Sequence, residues 1–303
     1  MRATETILSS LNLPVRDAYD LPTSRKRFAD DGQYRIEIPS CEGPRAMDAV
    51  IASAREHAVP IHRISQGSGV MLQTDDEITR MLALGQEHGI EVCLFVGPRA
   101  NWDVGVQAAS PSGKVLGSSL RGVDQLAYGI DDVRHGAALG LRSVLVADVG
   151  QLMVLGRMKI AGDLPADFVL KISVTLAAAN PATARVLEDL GATSINLPVD
   201  LSLPQIAAIR QAIDAPIDFY VEAPDDFGGT VRHYEIAELV RIAAPIYLKF
   251  GVRNAPGLYP SGQHIEPTVI ALSRERVRRA ALGLALLRRY SPDAVASPIA
   301  VRV

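Results

Sequence analysis

Along most of the chain, short runs dense in apolar residues alternate with longer stretches whose apolar positions recur at spacings of three and four. The runs fall at 34–40, 60–66, 90–97, 143–149, 169–176, 194–199, 217–224 and 246–252, and read as strands. Amphipathic helices are expected between them, at 44–57, 75–88, 123–139, 183–190, 204–213 and 236–243. Such alternation demands parallel strands joined by helical crossovers, and Pro60, Gly89, Gly191, Pro216 and Pro245 mark the helix-to-strand turns. Eight units in roughly 250 residues fit a closed barrel. The fold class expected is therefore α/β, a single (β/α)8 TIM barrel. An open dinucleotide-binding sheet would need a glycine-rich fingerprint after the first strand, and none is there.

Residues 1–33 lack this pattern apart from one short helix expected at 4–11. With the basic run Ser24-Arg25-Lys26-Arg27 they read as an N-terminal arm that covers one end of the barrel or meets a partner subunit. The barrel then occupies 34–290, and 291–303 form a C-terminal tail. One connection is out of proportion, 98–122 after the third strand; it contains Trp102 and Gly-Ser pairs and reads either as a lid over a site or as a surface excursion.

Period-two alternation within the strands separates the face that meets the helices from the face inside the barrel. Ile36 and Ile38 face out, which turns Arg35 and Glu37 in; Leu170, Ile172 and Val174 leave Lys171, Ser173 and Thr175 inside. The same reading puts Asn196, Tyr220, Glu222, Tyr247 and Lys249 inside. Buried charges must neutralise one another, reach water at the mouth, or bind something. One outcome is a set of internal ion pairs, such as Lys249 with Glu37 across the closing seam. The other is a site, with Lys249, Glu222, Lys171 and Glu37 as catalytic groups in acid–base or Schiff-base chemistry.

Arg35, Arg63, Gln66, Ser68, Arg99, Asn196, Tyr220, Arg253 and Asn254 are the expected substrate contacts, the Gln66-Gly67-Ser68-Gly69 run offering backbone amides to an anion. The loop after the eighth strand adds Tyr259, Ser261 and His264. A competing reading gathers Glu37, Glu222 and His233, with Asp148 or Asp225, around Mg or Mn.

A formal charge of −3 argues against a protein that coats nucleic acid. Arg274, Arg276, Arg278, Arg279, Arg288 and Arg289 read as the solvated face of the last helix, or as a phosphate or subunit contact. Cys41 and Cys93 supply neither a disulfide framework nor a four-cysteine metal site. With no leader-like or membrane-length apolar run, a cytoplasmic location is expected. A small-molecule substrate is the expected partner, with homo-oligomerisation through the arm as a further expectation.

The stretches DVGQLMVLGR at 148–157 and NPATARVLEDLGATSINLPVDLSLPQIAAIR at 180–210 resemble the peptidase U32 (collagenase-like) family. The resemblance spans roughly 120–215 and implies a barrel core in a group named for peptidases. Relatives in that group hydroxylate RNA bases or quinone precursors with an iron–sulfur cluster, and carry a His-Gly-Ala-Leu-Cys type segment after the seventh strand. Here that place reads Val221-Glu222-Ala223-Pro224-Asp225-Asp226-Phe227-Gly228-Gly229, without cysteine, so a four-cysteine iron–sulfur cluster does not carry over. No nucleophile–His arrangement or His-Glu-x-x-His motif supports peptidase chemistry either.

The leading expectation is a barrel enzyme of lyase or isomerase type acting on a small polar or anionic metabolite. Metal-dependent amide hydrolysis and a non-catalytic ligand-binding or assembly role are the alternatives.

Overall fold

The computed structural model describes residues 2–15, 20–102, 105–113 and 116–299. Its strands are β1 (Tyr34–Ile38), β2 (Arg63–Gln66), β3 (Glu91–Phe95), β4 (Ser143–Val146), β5 (Val169–Ile172), β6 (Ser194–Asn196), β7 (Ile217–Glu222) and β8 (Ile246–Phe250). They form a closed parallel barrel in chain order, sealed where β1 pairs with β8 and Glu37 lies opposite Lys249. The expected (β/α)8 TIM barrel is the fold.

Ten helices are described: α1 (Arg2–Ser10), α2 (Pro44–His57), α3 (Asp75–His88), α4 (Val106–Ala109), α5 (Gly122–Ala138), α6 (Val149–Ala161), α7 (Pro181–Asp189), α8 (Leu203–Ala212), α9 (Ile236–Ala243) and α10 (Glu266–Tyr290). The strands are shorter than their apolar runs, and after β4 and β5 a polar cap is what stops them. Asp148 caps α6 by accepting from the Gln151 amide at 2.9 Å, so residue 149 opens a helix instead of ending a strand. Ser173 accepts from the Thr175 amide at 3.3 Å and turns the chain into a single 3₁₀ turn after Ile172.

The segments resembling U32 are largely scaffold. Asn180 caps α7 through the Thr183 amide, and Ser202 with Gln205 forms a capping box on α8. Gly156 of α6 sits against the turn after α7, where a Cβ would meet the Leu190 carbonyl oxygen at 2.2 Å. Gly191 adopts φ 109°, and a Cβ there would meet the Gly156 Cα at 3.1 Å. These two glycines let α6 and the α7 turn touch backbone to backbone.

The outer face of the barrel is apolar and buried, with Ile36, Ile64, Leu94, Val144, Leu170, Ile195, Phe219 and Leu248 packed under the helices. At the strand starts, the arm folds beneath the barrel. Ser24 donates to the Ala244 carbonyl at 2.5 Å, Phe28 meets Tyr247 edge-on at 5.3 Å, and Arg35 lies 4.1 Å over the Phe28 ring. From the other end of the chain, Ser297 binds Asp30 and Arg35. Among the described residues no helix is long and apolar enough to cross a membrane.

Candidate active site at the barrel mouth

Inside the barrel, the charges find one another. Arg63 donates to Asp218 at 2.8 Å, to Glu91 at 2.8 Å and to Glu37 at 3.3 Å. Lys171 binds Glu37 directly and lies 3.8 Å from Asp218, while Lys249 lies 3.4 Å from Glu37. Ser65 donates to Glu37 at 2.7 Å and Ser194 to Asp218 at 2.6 Å. Three cations thus face three carboxylates, and only Glu91 has appreciable water contact, with its side chain 25% exposed.

This geometry sets the protonation states. Burial would push the Glu37 carboxyl up, but Lys171, Lys249 and Arg63 overcome it and hold the group well below the usual range. Burial lowers the Lys171 ammonium, with Asp218 and Glu37 opposing the shift. Burial also raises the Tyr220 and Tyr247 phenols. The cysteines are spectators: both are free and buried, and burial pushes the Cys93 thiol up to about 12.

One of the expected interior groups, Glu222, lies elsewhere, and another, Arg35, keeps the inward register but at the end of the barrel away from the mouth. Glu222 does not join Lys249 and Glu37, because the pairing of β7 with β8 slips between Tyr220 and Glu222. Tyr220 opposes Lys249, but Glu222 opposes the outward-facing Phe250 and so turns to the helix layer. There it accepts from the Arg253 amide at 3.0 Å, meets His233 Nε2 at 2.9 Å, and lies 3.5 Å from Arg279 of α10. Burial raises its carboxyl, and the hydrogen bonds from His233 and Arg253 more than reverse that. Arg35 sits at the strand starts, bound to Asp30, Ser297 and Tyr247.

Glu37, Glu222 and His233 are therefore not brought together, and among the described residues no group of three or more His, Cys, Asp or Glu is placed to hold a metal ion. Asp148 serves α6 as its cap. Asp225 accepts from the Asn254 amide.

Two cavities flank the charged centre. The larger, about 770 Å³, opens at the strand starts among Arg35, His62, Glu91, Arg142 and Asp167, the face of such barrels that carries stability. The smaller, about 60 Å³, lies at the strand ends, where barrel enzymes keep their chemistry, and is the better candidate despite its size. Its wall includes Ser65, Gln66, Ser173, Asn196, Tyr220 and Lys249. Lys249 lies 4.2 Å over the Tyr220 ring, and with its amide turned to satisfy both neighbours Asn196 accepts from Lys249 at 2.8 Å and donates to the Asp218 carbonyl at 3.2 Å.

Loops close the mouth. Tyr259, after β8, fills the space a Gly67 side chain would need and binds Ser40 at 2.5 Å. Arg99 stacks 3.6 Å over Phe95 and 4.1 Å over Trp102 and donates to the Gly67 carbonyl; burial lowers its guanidinium to about 10. Ser118 also borders the cavity, so the long connection after β3 contributes to the mouth at both of its ends; residues 103–104 and 114–115 of it lie outside the described residues.

The remaining expected contacts separate. Gln66 folds back on Gly69 through its amide, at 3.0 and 3.2 Å, while still bordering the cavity. Ser68 is engaged by Glu42. Arg253 is exposed, 3.9 Å from Asp225. The sequence reading missed Asp218 and Glu91, which alternation would have found by stepping back two residues from Tyr220 and Cys93. Of the two readings of the arginine cluster, a solvated face does not hold for Arg276, whose side chain is buried and donates to the Ser40 carbonyl at 3.1 Å.

Residues 123–223 match the family model Peptidase family U32, and both segments carrying the resemblance fall inside that match. The U32 peptidase Mk0906 is similar at 20% identity, covering 68% of this chain and 74% of its own, with a TM-score of 0.41. The carboxyl transferase domain of Rhizobium etli pyruvate carboxylase covers 97% of this chain and 52% of its own at 12% identity and a TM-score of 0.46. Orotidine 5'-monophosphate decarboxylase from Methanocaldococcus jannaschii covers 82% and 98% at 10% identity and 0.43. Likenesses this distant carry no argument about activity. No curated protein matches the chain.

Proposed function

We propose, for a chain whose residues 123–223 match the model of peptidase family U32, that the barrel is an enzyme acting at its mouth on a small polar or anionic metabolite. Its chemistry is acid–base or carbonyl chemistry at Lys249. The observation behind this is that Lys249 alone, among the six charged groups of the interior network, also borders the mouth cavity. Its ammonium is held between Glu37, Asn196 and the Tyr220 ring, so one face of it is fixed and the other meets whatever enters.

In that role Lys249 gives or takes a proton, or condenses with a carbonyl to release water. Glu37 fixes the amine, and Lys171 holds Glu37 ionised from beneath. A cavity of about 60 Å³ is well below the roughly 300–1,000 Å³ of ordinary ligand pockets, so on this reading the Tyr259 loop moves for a metabolite to enter.

Borohydride reduction in the presence of a panel of 2-oxo acids and aldehydes is the test. A carbonyl mechanism predicts a mass adduct at Lys249 and none in Lys249→Met. Once a substrate is in hand, Lys249→Met abolishes turnover; full activity in that variant sinks the assignment.

A second reading has its own observation: the interior charges balance without a ligand, as they would in a barrel serving only to bind or assemble. It predicts no adduct and no turnover with any tested metabolite, and a stable complex with a partner instead. Metal-assisted amide hydrolysis has less behind it, because the bulge in β7 sends Glu222 and His233 away from Glu37.

A further inference from the structure

Glu42, just past β1, reaches across to the loop after β2. One carboxylate oxygen accepts from the Gly67 amide at 2.7 Å; the other accepts from the Ser68 amide at 3.0 Å and the Ser68 hydroxyl at 2.5 Å. Two successive backbone amides and a hydroxyl converging on one anion form a nest of the kind that holds phosphate or carboxylate. The occupant here is the chain's own side chain.

The surroundings supply more donors than this one carboxylate accepts. Arg276 is buried and its Nε has no partner; the same holds for Arg99 Nε and the Ser261 hydroxyl. All three belong to the same cluster. Arg276 binds the Ser40 carbonyl, and the Ser40 hydroxyl meets Tyr259. Arg99 binds the Gly67 carbonyl, and the Ser261 amide donates to the Ser68 hydroxyl at 2.8 Å. Neither arginine forms an ion pair with a described carboxylate. Unsatisfied buried donors each cost free energy that an acceptor-rich oxyanion would recover. Glu42 is a poor occupant in one more respect, since burial holds its carboxyl above the usual range despite the three donors.

We propose that the Gly67–Ser68 nest is the anion seat of the mouth site, that Glu42 fills it from within, and that a ligand's phosphate or carboxylate group takes the seat when Glu42 swings out. This rests on the reading of the mouth as the binding site, because Gly67 borders the same cavity as Lys249. Ser68 ties the seat to the closing loop. Its hydroxyl donates to Glu42 and accepts from the Ser261 amide, so exchanging the anion alters the anchor of the segment that carries Tyr259.

Titration calorimetry of the full chain with inorganic phosphate, and separately with malonate, tests the seat. Glu42→Ala clears the nest and removes a like charge, so it binds the preferred anion about tenfold or more tighter than the unaltered protein. Adding Ser68→Ala to Glu42→Ala takes that gain away. Tighter phosphate assigns the seat to phosphate esters, and tighter malonate assigns it to carboxylates. Equal affinity in Glu42→Ala and the unaltered protein, or a gain that survives loss of Ser68, overturns the proposal. Glu42→Gln, nearly isosteric, carries the comparison if Glu42→Ala fails to fold; it is expected to show a smaller gain in the same direction. Lys249→Met in the Glu42→Ala background separates the two ideas. Anion binding retained there upholds the seat even if turnover later proves independent of Lys249.

Discussion

In the middle of the barrel, Arg63, Lys171 and Lys249 meet Glu37, Asp218 and Glu91 with short contacts, and Ser65 and Ser194 take up further lone pairs. Around the mouth, Arg99, Arg276 and Ser261 each keep a buried polar atom without a partner. One region is complete in itself and the other is not. A charge-rich barrel interior is therefore weak evidence of a site, since full pairing is what burial alone demands. Donors left over around a cavity and an anion nest are stronger evidence, because buried polar groups are as a rule paired and these three gather at one place, whereas the partnerless atoms of Arg210 and Thr230 lie apart from it.

The difference can be broken from the middle first. Arg63→Met takes the one partner shared by Glu37, Asp218 and Glu91 and leaves the interior one cation short, and is expected to cost about 3–5 kcal/mol in urea unfolding. A loss below about 1 kcal/mol would mean that water already serves those carboxylates. Lys171→Met is expected to cost about as much alone, and adding Glu37→Gln should return about 1–3 kcal/mol, the coupling expected within one network.

Acid titration sharpens the same point. The folded Glu37 carboxyl lies below its ordinary value of 4.5, as does that of Glu222, so their stabilisation is complete above that value and is lost as pH falls below it. The slope is about 1.4 kcal/mol per pH unit for each proton taken up on unfolding, and Glu37→Gln should flatten it. Equilibrium unfolding across pH 3 to 6, about the window these directions define, reads it out.

At the mouth the effects shrink. Tyr259→Phe removes only the contact with Ser40 and is expected to cost about 0.5–1.5 kcal/mol, while the Ser261 amide exchanges faster. Arg253→Ala, at an exposed pair, should change stability by less than about 0.5 kcal/mol.

The barrel was legible because alternation of strand and helix leaves few other solutions, and because period two assigned Glu37, Lys171 and Lys249 to the inside. Pairing Lys249 with Glu37 needed only the closure of β8 on β1. Glu222 escaped that logic because a bulge depends on the partner strand, and no local signal in 217–224 announces it. Glu42 and its nest lie 25 and 26 positions apart, and nothing in either segment names the other. Arg276 could have been found. It shares a helix face with Ser273, Val277 and Ala280, all buried, at the spacing that defines an inward stripe. The U32 likeness was visible for a different reason: caps and close glycine contacts are demanding of residue type, and they report the scaffold, not the chemistry.

Closure of β8 on β1 also fixes an order of events during synthesis. Glu37 leaves the ribosome 134 positions ahead of Lys171, and Asp218 and Lys249 come later still. Until they arrive, the early strands carry two carboxylates, Glu37 and Glu91, with Arg63 as their one shared cation and water for the rest, so half a barrel has no dry interior to collapse into. Nascent chains halted before residue 246 should accordingly remain open to protease along β1 and β2, with protection arriving in a single step once the eighth strand is free to dock.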